Sequence, residues 1–336
     1  MGCHPTASDQ CSRCSIRSDA LKGSKAVVTS RTEIRERRSS MSLLSRLMPT
    51  IMRLRRSNKD HLTRDHVRRY LDRTTRHPQP SAPPSRLAKG VTLTSRGVRG
   101  WDVHTVSPTE APSQGTVIYL HGGGWMNEAA PQHWSLVQQV AREASVDVVL
   151  PVYPLVQSGG NAETVTPIVA ELARDAARPL VLMGDSAGGT IAISTTLLLK
   201  EQGTPADLTV LISPALDMRM ENPEIDEVQP FDPWLVKNGQ LLLTEMWIGE
   251  HREDPILNPF LGDPRGAGEL IIFSGTRDLL NPDTRLFVDA ARAAGANVTY
   301  YEQAGSLHVY PILPTREGRE ARRAIVDAIR RVVTVH

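Results

Sequence analysis

The sequence predicts an α/β protein with a mostly parallel sheet of about eight strands and helices on both faces. Antiparallel pairing is predicted at the start, where GVTLTS and VRGWDVHTV are joined by a turn at Arg96-Gly97. Near-continuous runs of Val, Ile and Leu then alternate with stretches long enough for crossover helices, as buried parallel strands require. The six runs are TVIYL (116–120), VDVVLPVY (146–153), PLVLMG (179–184), DLTVLIS (207–213), ELIIFSG (269–275) and NVTYYEQ (297–303).

The composition is that of a globular protein. The 336 residues are 40% hydrophobic and 23% charged, with a formal net charge of +2. No apolar run reaches the roughly 18 residues of a membrane span, and MGCHPTASDQ lacks the order of a secretion signal, so we expect a cytoplasmic location. Residues 1–40 are expected to be a disordered extension. The alternative is a zinc site there, although no second ligand pair with zinc-ribbon spacing follows; its ligands would be Cys3, His4, Cys11 and Cys14.

Residues 31–76 form a basic arm with 14 Lys and Arg against five Asp and Glu. Apolar residues recur near helical spacing from Leu43 to Leu54, and Pro49 should break or restart that helix. A helix packed on the rest of the protein is one interpretation, and a helix on an anionic membrane surface is another. Nucleic acid is not expected as a partner, because no aromatic platform or nucleic-acid motif accompanies the charge. RHPQPSAPPSR (76–86) then predicts an extended linker.

A candidate nucleophile follows the strand PLVLM. The stretch GDSAGG (184–189) lies between that strand and the helical sequence TIAISTTLLLKEQG. G-x-S-x-G in this position is typical of a nucleophile elbow, in which a tight turn projects the Ser hydroxyl beyond the carboxyl edge of the sheet. We therefore predict Ser186 as a nucleophile; a buried turn without catalytic function is the alternative.

A serine at neutral pH needs a base, which this arrangement places later in the chain. His308, in QAGSLHVYP, comes just after the last predicted strand and hence at the same edge of the sheet. His251 lies in the charged stretch GEHRED, and His336 is the terminal residue. His308 is therefore the predicted base.

The base in turn needs an orienting carboxylate, which belongs between the serine and the histidine. Asp278 lies three residues beyond the strand that ends at Gly275, and 30 residues remain before the base. Asp283 is the fallback, although a carboxylate in the first turn of a helix, directly after Pro282, explains it better. Asp254 and Asp263 lie in the preceding irregular region, so we predict Asp278.

The glycines of His121-Gly122-Gly123-Gly124 suggest how a developing oxyanion is stabilised. They follow the strand TVIYL, and three glycines in a row leave backbone N–H groups that no side chain obstructs. We predict an oxyanion site formed by Gly122, Gly123 and Gly124, with Ala187 directly after the nucleophile. Phosphate binding is not expected, because neither G-x-G-x-x-G nor a P-loop Lys is present.

Together, HGGGW and GDSAGG resemble the bacterial hormone-sensitive-lipase family of α/β-hydrolase esterases over residues 90–334. The resemblance implies an α/β-hydrolase fold with a helical cap and hydrolysis of short- to medium-chain carboxylic esters, without a metal or organic cofactor. It assigns a Ser186, Asp278 and His308 triad, with oxyanion donors at Gly123, Gly124 and Ala187.

The resemblance also implies domain boundaries. A basic cap segment and linker (41–86) would precede a catalytic domain (87–336) that carries a cap insertion at about 217–262. We expect the apolar positions of residues 41–75 to cover the acyl pocket.

Two departures from the family pattern stand out. The common Tyr-x-Leu-Ala-Pro-Glu is replaced by YPLVQS (153–158), so the support of the oxyanion site should differ. The common Asp-Pro-Leu after the acid is Asp278-Leu279-Leu280 here.

The expected partner is a small-molecule ester. An amidase or peptidase using the same triad, and a non-catalytic binding protein using the basic arm, are the alternatives. Peripheral membrane contact through that arm and a homodimer both stay open.

Overall fold

A computed structural model describes residues 41–60 and 62–334. Eight strands form one sheet in the order β1-β2-β4-β3-β5-β6-β7-β8. The pairs β1–β2 and β2–β4 are antiparallel and the others are parallel, which confirms the predicted sheet. The strands are β1 Val91–Val98, β2 Trp101–Pro108, β3 Thr116–Leu120, β4 Asp147–Pro151, β5 Leu180–Asp185, β6 Leu208–Ile212, β7 Glu269–Gly275 and β8 Val298–Gln303.

Helices cover both faces of this sheet. On one face α3 and α9 enclose a core with β3, β4 and β5; on the other, α2, α4, α5, α7 and α8 enclose a second core. β3, β5 and β6 are buried along their whole length, as their unbroken apolar sequences predict. Over the described residues the helices are α1 Leu43–Leu54, α2 Arg64–Arg76, α3 Pro131–Ala144, α4 Ala162–Arg174, α5 Ala187–Glu201, α6 Glu224–Val228, α7 Lys237–Ile248, α8 Asn281–Ala293 and α9 Arg316–Thr334.

Two local predictions are wrong. The first turn lies at Arg99-Gly100, not at Arg96-Gly97, because both of these later residues adopt positive φ (53° and 84°) as a two-residue hairpin turn requires. Helix α1 also continues through Pro49. A proline deprives the preceding turn of one backbone hydrogen bond, and tertiary contacts hold α1 in place, since Pro49 is buried.

Helix α1 is anchored at its first turn. Glu317 of α9 accepts hydrogen bonds from the Ser42 amide (2.6 Å), the Ser42 hydroxyl (2.7 Å) and the Ser45 hydroxyl. Burial opposes ionisation of Glu317, but these hydrogen bonds prevail and lower its pKa to about 2. The carboxylate therefore remains charged and fixes the helix to the body.

None of the helices within residues 41–60 and 62–334 is long and apolar enough to cross a bilayer. The predictions for residues 1–40, including the zinc site, fall outside the described residues, as does His336.

Candidate active site

Ser186 lies on the sharp turn between β5 and α5. Its backbone has φ 51° and ψ −120°, a conformation that side chains rarely adopt, and its amide donates to the carbonyl of Ile212 (2.8 Å). The turn is so close to β3 that a Cβ at Gly188 would lie 2.0 Å from the carbonyl oxygen of Leu120. Glycine is therefore required at Gly188, and the strained turn presents the Ser186 hydroxyl at the carboxyl edge of the sheet.

His308 and Asp278 meet this hydroxyl from the neighbouring loops. The Ser186 Oγ lies 2.9 Å from His308 Nε2, and His308 Nδ1 lies 2.9 Å from Asp278 Oδ1. Asp278 follows β7 and His308 follows β8, and both side chains are almost fully buried. The structure thus brings the three predicted triad residues into one hydrogen-bonded chain.

Electrostatics favour a histidine that can hold a proton. Burial lowers the pKa of His308, but the Asp278 charge and hydrogen bond, with smaller contributions from Asp232 and Asp185, raise it above the ordinary value overall. Such a site can take the proton of an attacking hydroxyl and stabilise the resulting imidazolium.

The oxyanion loop, residues 121–127, faces the same hydroxyl. Gly123 and Gly124 have φ of 125° and 63° and line the cavity with Ser186. Within the described residues, the amides of Gly123, Gly124 and Ala187 donate no hydrogen bond, so they are available to an oxyanion.

The prediction that included Gly122 among the donors is wrong. Its amide donates to the Oδ1 atom of Asp185 at 2.9 Å, so it cannot also serve a substrate oxygen. A Cβ at Gly122 would lie 2.3 Å from Asp185 Oδ2. This glycine permits close contact with the carboxylate, and its role is to position the loop.

Asp185 supports the candidate site from below, and the sequence analysis did not single it out. Its buried carboxylate accepts hydrogen bonds from the Tyr119 hydroxyl and the Gly122 amide, and lies 3.3 Å from His133 Nε2. The Ala130 amide donates to His133 Nδ1 (2.9 Å), so the ring proton is on Nε2 and faces Asp185. Burial disfavours its charge, but these donors lower the pKa of Asp185 overall.

A second set of contacts fixes the other side of the oxyanion loop. Asn127 Nδ2 donates to the Gly123 carbonyl (2.9 Å), and Tyr70 of α2 donates to Asn127 Oδ1. Gln79 of the linker also donates to Asn127 Oδ1 (3.0 Å). Because a peptide unit is planar, holding the carbonyl of Gly123 also sets the direction of the Gly124 N–H.

The segment YPLVQS performs the supporting role in its own way. The Tyr153 hydroxyl donates to the His121 carbonyl (2.7 Å), and its ring stacks on the His121 ring with centroids 4.5 Å apart. The Val156 amide donates to the Trp125 carbonyl (2.9 Å), and Gln157 Nε2 donates to the Met126 carbonyl (3.0 Å). The departure from the family motif therefore leaves the oxyanion loop held at three points.

A cavity of about 490 Å³ opens above Ser186. The insertion between β6 and β7 contributes Trp234, Leu235 and Gln240 to its wall, and the linker contributes Gln79 and Pro80. In the described part of the chain, α1 and α2 supply no lining residue. The expectation that residues 41–75 cover the pocket directly is therefore wrong; α2 packs on α7, the helix that supplies Gln240 to the wall.

Asp232, in the insertion, is a second residue that the sequence did not reveal. Its Oδ2 accepts from the Leu279 amide (2.8 Å) and its Oδ1 from the amides of Trp234 (2.7 Å) and Leu235 (3.0 Å). The Asp-Pro-Leu of the family would lack the first donor, because proline has no N–H. Burial and the Asp278 charge raise the pKa of Asp232 to about 6, and the Trp234 ring meets the His308 ring edge-on at 5.8 Å.

The rejected candidates lie elsewhere. Asp283 is buried in the first turn of α8, where burial raises its pKa to about 7. His251 lies 3.5 Å from Glu163, and Asp254 and Asp263 accept hydrogen bonds from residues just after them. Within residues 41–60 and 62–334, no three His, Cys, Asp or Glu side chains are grouped to hold a metal ion.

Comparison with known proteins places this geometry in a family. A protein-family model, described as the alpha/beta hydrolase fold, matches residues 117–312 of the sequence. Among curated proteins, the chain is 26% identical over 242 residues to a triacylglycerol lipase of Mycobacterium tuberculosis, covering 69% of this chain and 51% of the lipase. It is 28% identical over 218 residues to an acetyl-hydrolase of Streptomyces hygroscopicus, covering 61% of this chain and 72% of that protein. The chain thus spans about half the length of the lipase.

Solved structures share the fold. An esterase from the bacterial hormone-sensitive lipase family superposes with a TM-score of 0.71 at 24% identity, covering 88% of this chain and 100% of that one. An esterase/lipase from an uncultured bacterium gives 0.72 at 21% identity, covering 87% and 99%. At these identities the likeness concerns the fold.

Proposed function

This chain belongs to the α/β-hydrolase fold family, and from that premise we propose that it is a serine carboxylesterase that forms an acyl-enzyme on Ser186. The observation that carries the proposal is the continuous hydrogen-bonded chain from Ser186 through His308 to Asp278, with its 2.9 Å contacts. The names of the similar curated proteins, a lipase and an acetyl-hydrolase, support ester hydrolysis as the reaction class.

In the first half-reaction His308 Nε2 accepts the hydroxyl proton as Ser186 Oγ attacks the ester carbonyl. The amides of Gly123, Gly124 and Ala187 stabilise the tetrahedral oxyanion. The His308 imidazolium then returns its proton to the departing alkoxide, so an alcohol leaves. In the second half-reaction His308 takes a proton from water as that water attacks the acyl carbonyl. The imidazolium then returns the proton to Ser186 Oγ as the bond to the acyl group breaks, so the carboxylic acid leaves and the hydroxyl is restored.

The size and lining of the cavity support our proposal that the substrates have short- to medium-chain acyl groups. Its volume of about 490 Å³ is in the lower part of the range for small-molecule sites. Trp234, Leu235, Ile312 and Leu313 give part of its wall an apolar character. An apolar acyl chain gains free energy from leaving water, so such a wall favours it.

An amidase or peptidase with the same triad is the second candidate. The two reactions are separated by presenting matched p-nitrophenyl esters and p-nitroanilides of increasing chain length. We expect turnover of the esters, with a maximum at short to medium length, and none of the anilides. Faster anilide turnover would favour the second candidate.

The nucleophile is tested with Ser186→Ala. The variant should fold normally but lose labelling by an organophosphonate and at least about 10⁴-fold in kcat, because the remaining groups cannot form an acyl-enzyme. Circular dichroism and thermal unfolding provide the folding control. Labelling that persists in the variant would identify another nucleophile.

A further inference from the structure

A second concave surface lies beside the catalytic cavity. We call it the arginine groove; it has a volume of about 900 Å³ and is bounded by the linker, α3 and α9. Pro80, Ala129 and Pro131 border both spaces. The groove and the cavity are thus adjacent. Helix α3 begins beside the catalytic cavity and continues along the groove.

The rim of the groove is strongly cationic. It carries five arginines against one acidic residue, Glu143, and the five are Arg86, Arg142, Arg319, Arg322 and Arg323. Arg142 pairs with Glu143 at 3.1 Å. In the described part of the chain the other four form no ion pair, so positive charge predominates in this groove.

Arg322 shows how this charge is held. It donates to Gln139 Oε1 (3.1 Å) and to the carbonyls of Leu313 (3.1 Å) and Pro311, all neutral acceptors. The half-buried guanidinium is therefore hydrogen-bonded without a direct ion pair. Burial lowers the pKa of Arg322 and the adjacent Arg319 lowers it further, whereas the charge of Glu143 opposes both effects. An anion in the groove would relieve that repulsion.

Part of the lining of the groove is apolar. Pro80, Pro84, Leu87 and Trp134 contribute to it. From Pro131, at the border with the catalytic cavity, to Gln139, which accepts a hydrogen bond from Arg322, α3 rises about 12 Å at 1.5 Å per residue. A ligand that spans this path has an apolar stretch next to the cavity and an anion at its far end.

We propose that the arginine groove binds an anionic group carried on the distal arm of the ester substrate. The guanidinium fork matches carboxylate and phosphate groups, either of which would satisfy the unpaired arginines. The substrate class is thus an amphipathic ester with a terminal carboxylate or phosphate, the scissile bond lying at Ser186. This inference rests on the proposed esterase function.

The test uses esters that differ only in a terminal charge. One pair carries a terminal carboxylate or a neutral methyl ketone of the same size on the acyl arm, and another pair carries them on the alcohol arm; proton release reports hydrolysis. The wild-type protein should have a KM about tenfold lower for the charged member of at least one pair. Equal KM values in both pairs would overturn the proposal.

The arginines are tested with Arg86→Gln combined with Arg319→Gln, since both side chains are exposed. The ratio of kcat/KM for charged over neutral ester should fall at least fivefold, mainly through KM. Arg69→Gln combined with Arg96→Gln is the matched control and should keep the wild-type ratio, since both arginines are exposed, lie outside the groove and form no ion pair in the described part of the chain. An equal change in both double variants would overturn the proposal.

Direct binding separates this inference from the proposed function. Calorimetry on Ser186→Ala with a long-chain dicarboxylate should show binding that the Arg86→Gln/Arg319→Gln changes weaken. If no ester is hydrolysed but this arginine-dependent binding is found, the groove stands and the esterase fails. If the double variant loses only binding to phosphatidylserine vesicles and keeps the charge preference for esters, the groove is a membrane contact and the proposal fails.

Discussion

Asp278 and Asp283 lie five residues apart at the same end of the sheet, yet their surroundings give them different tasks. Asp278 contacts His308 Nδ1 at 2.9 Å, whereas Asp283 is buried at the start of α8. Asp278→Asn should lower kcat about 10⁴-fold with a modest change in KM, because His308 loses its orienting charge. Steady-state kinetics over a p-nitrophenyl ester measures this.

Asp283→Asn is the matched variant. It removes a carboxyl group that does not touch the triad and whose pKa burial has raised to about 7. We expect kcat within a few-fold of wild type. A larger loss here than in Asp278→Asn would show that the wrong carboxylate has been assigned to the base.

Substitution of Gly122 tests whether the position of the oxyanion loop determines the reaction rate. The added methyl group of Gly122→Ala would lie 2.3 Å from Asp185 Oδ2, so the oxyanion loop must shift. Loss of one oxyanion donor typically costs 10²–10³-fold in rate, so we expect kcat to fall by about 100-fold. Gly97→Ala, where nothing lies within 4 Å, is the control. If Gly122→Ala raises KM with kcat intact, the loop positions substrate and not the oxyanion donors.

At the scale of elements, the insertion between β6 and β7 affects the pKa of the triad histidine through the charge of Asp232. Asp232 is one of the groups whose negative charge raises the pKa of His308. Burial and the Asp278 charge raise its own pKa, while three backbone amides donate hydrogen bonds that favour its charged form. The insertion thus contributes electrostatics as well as a wall.

Asp232→Asn should move the pH profile. With this charge removed, the pKa of His308 falls, so the acid limb of kcat/KM should move to lower pH, by about half a unit to one unit. The profile of wild type and variant between pH 5 and 9 measures it, with Asp263→Asn, an exposed carboxyl, as control. An unmoved acid limb, or one moved to higher pH, would contradict the electrostatic role.

The strands were the elements most accurately predicted from the sequence. Buried parallel strands have unbroken apolar sequences, and TVIYL and ELIIFSG form β3 and β7 with the predicted bounds. The predicted turn at Arg96-Gly97 is wrong because the two Arg-Gly pairs look equally suited to a turn in the local sequence. Only the pairing of β1 with β2 selects Arg99-Gly100. Pro49 was misjudged because α1 is held by contacts with α9.

Site residues were predictable where a motif fixes both spacing and backbone geometry. GDSAGG and HGGG identify Ser186 and the glycine amides in this way. The partners of Asp185 could not be predicted, since Tyr119 and His133 come from β3 and α3, and only the folded sheet brings them to one carboxylate. Asp232 is separated from Asp278 by 46 residues, and no local pattern links them.

At the scale of the whole molecule, removing residues 41–75 tests whether they form part of a cap. Val67 and Leu71 of α2 are buried in the same core as Leu243 and Trp247 of α7. A chain starting at residue 77 would expose that apolar surface, so we expect binding of a hydrophobic dye and a Tm lower by at least about 5 °C. Chain-length preference should change as well, since α7 supports the cavity wall.

The competing interpretation of this segment concerns a membrane. Leu43 and Leu54 are 72% and 80% exposed on α1, with arginines nearby. A membrane-surface helix predicts that the truncated protein keeps its stability and its chain-length preference but loses binding to anionic vesicles, an interaction that salt weakens. Sedimentation with vesicles at two salt concentrations distinguishes this outcome from a cap.

The Gly123 carbonyl is held from several directions at once. It accepts hydrogen bonds from the amides of Met126 and Asn127 and from Asn127 Nδ2, and Tyr70 and Gln79 in turn donate to Asn127 Oδ1. The peptide that carries the Gly124 N–H is therefore fixed by α2 and the linker as well as by its own loop. A substitution in those two segments that disturbs Asn127 would change the reaction rate without touching the substrate, so sequence far from the triad contributes to catalytic efficiency.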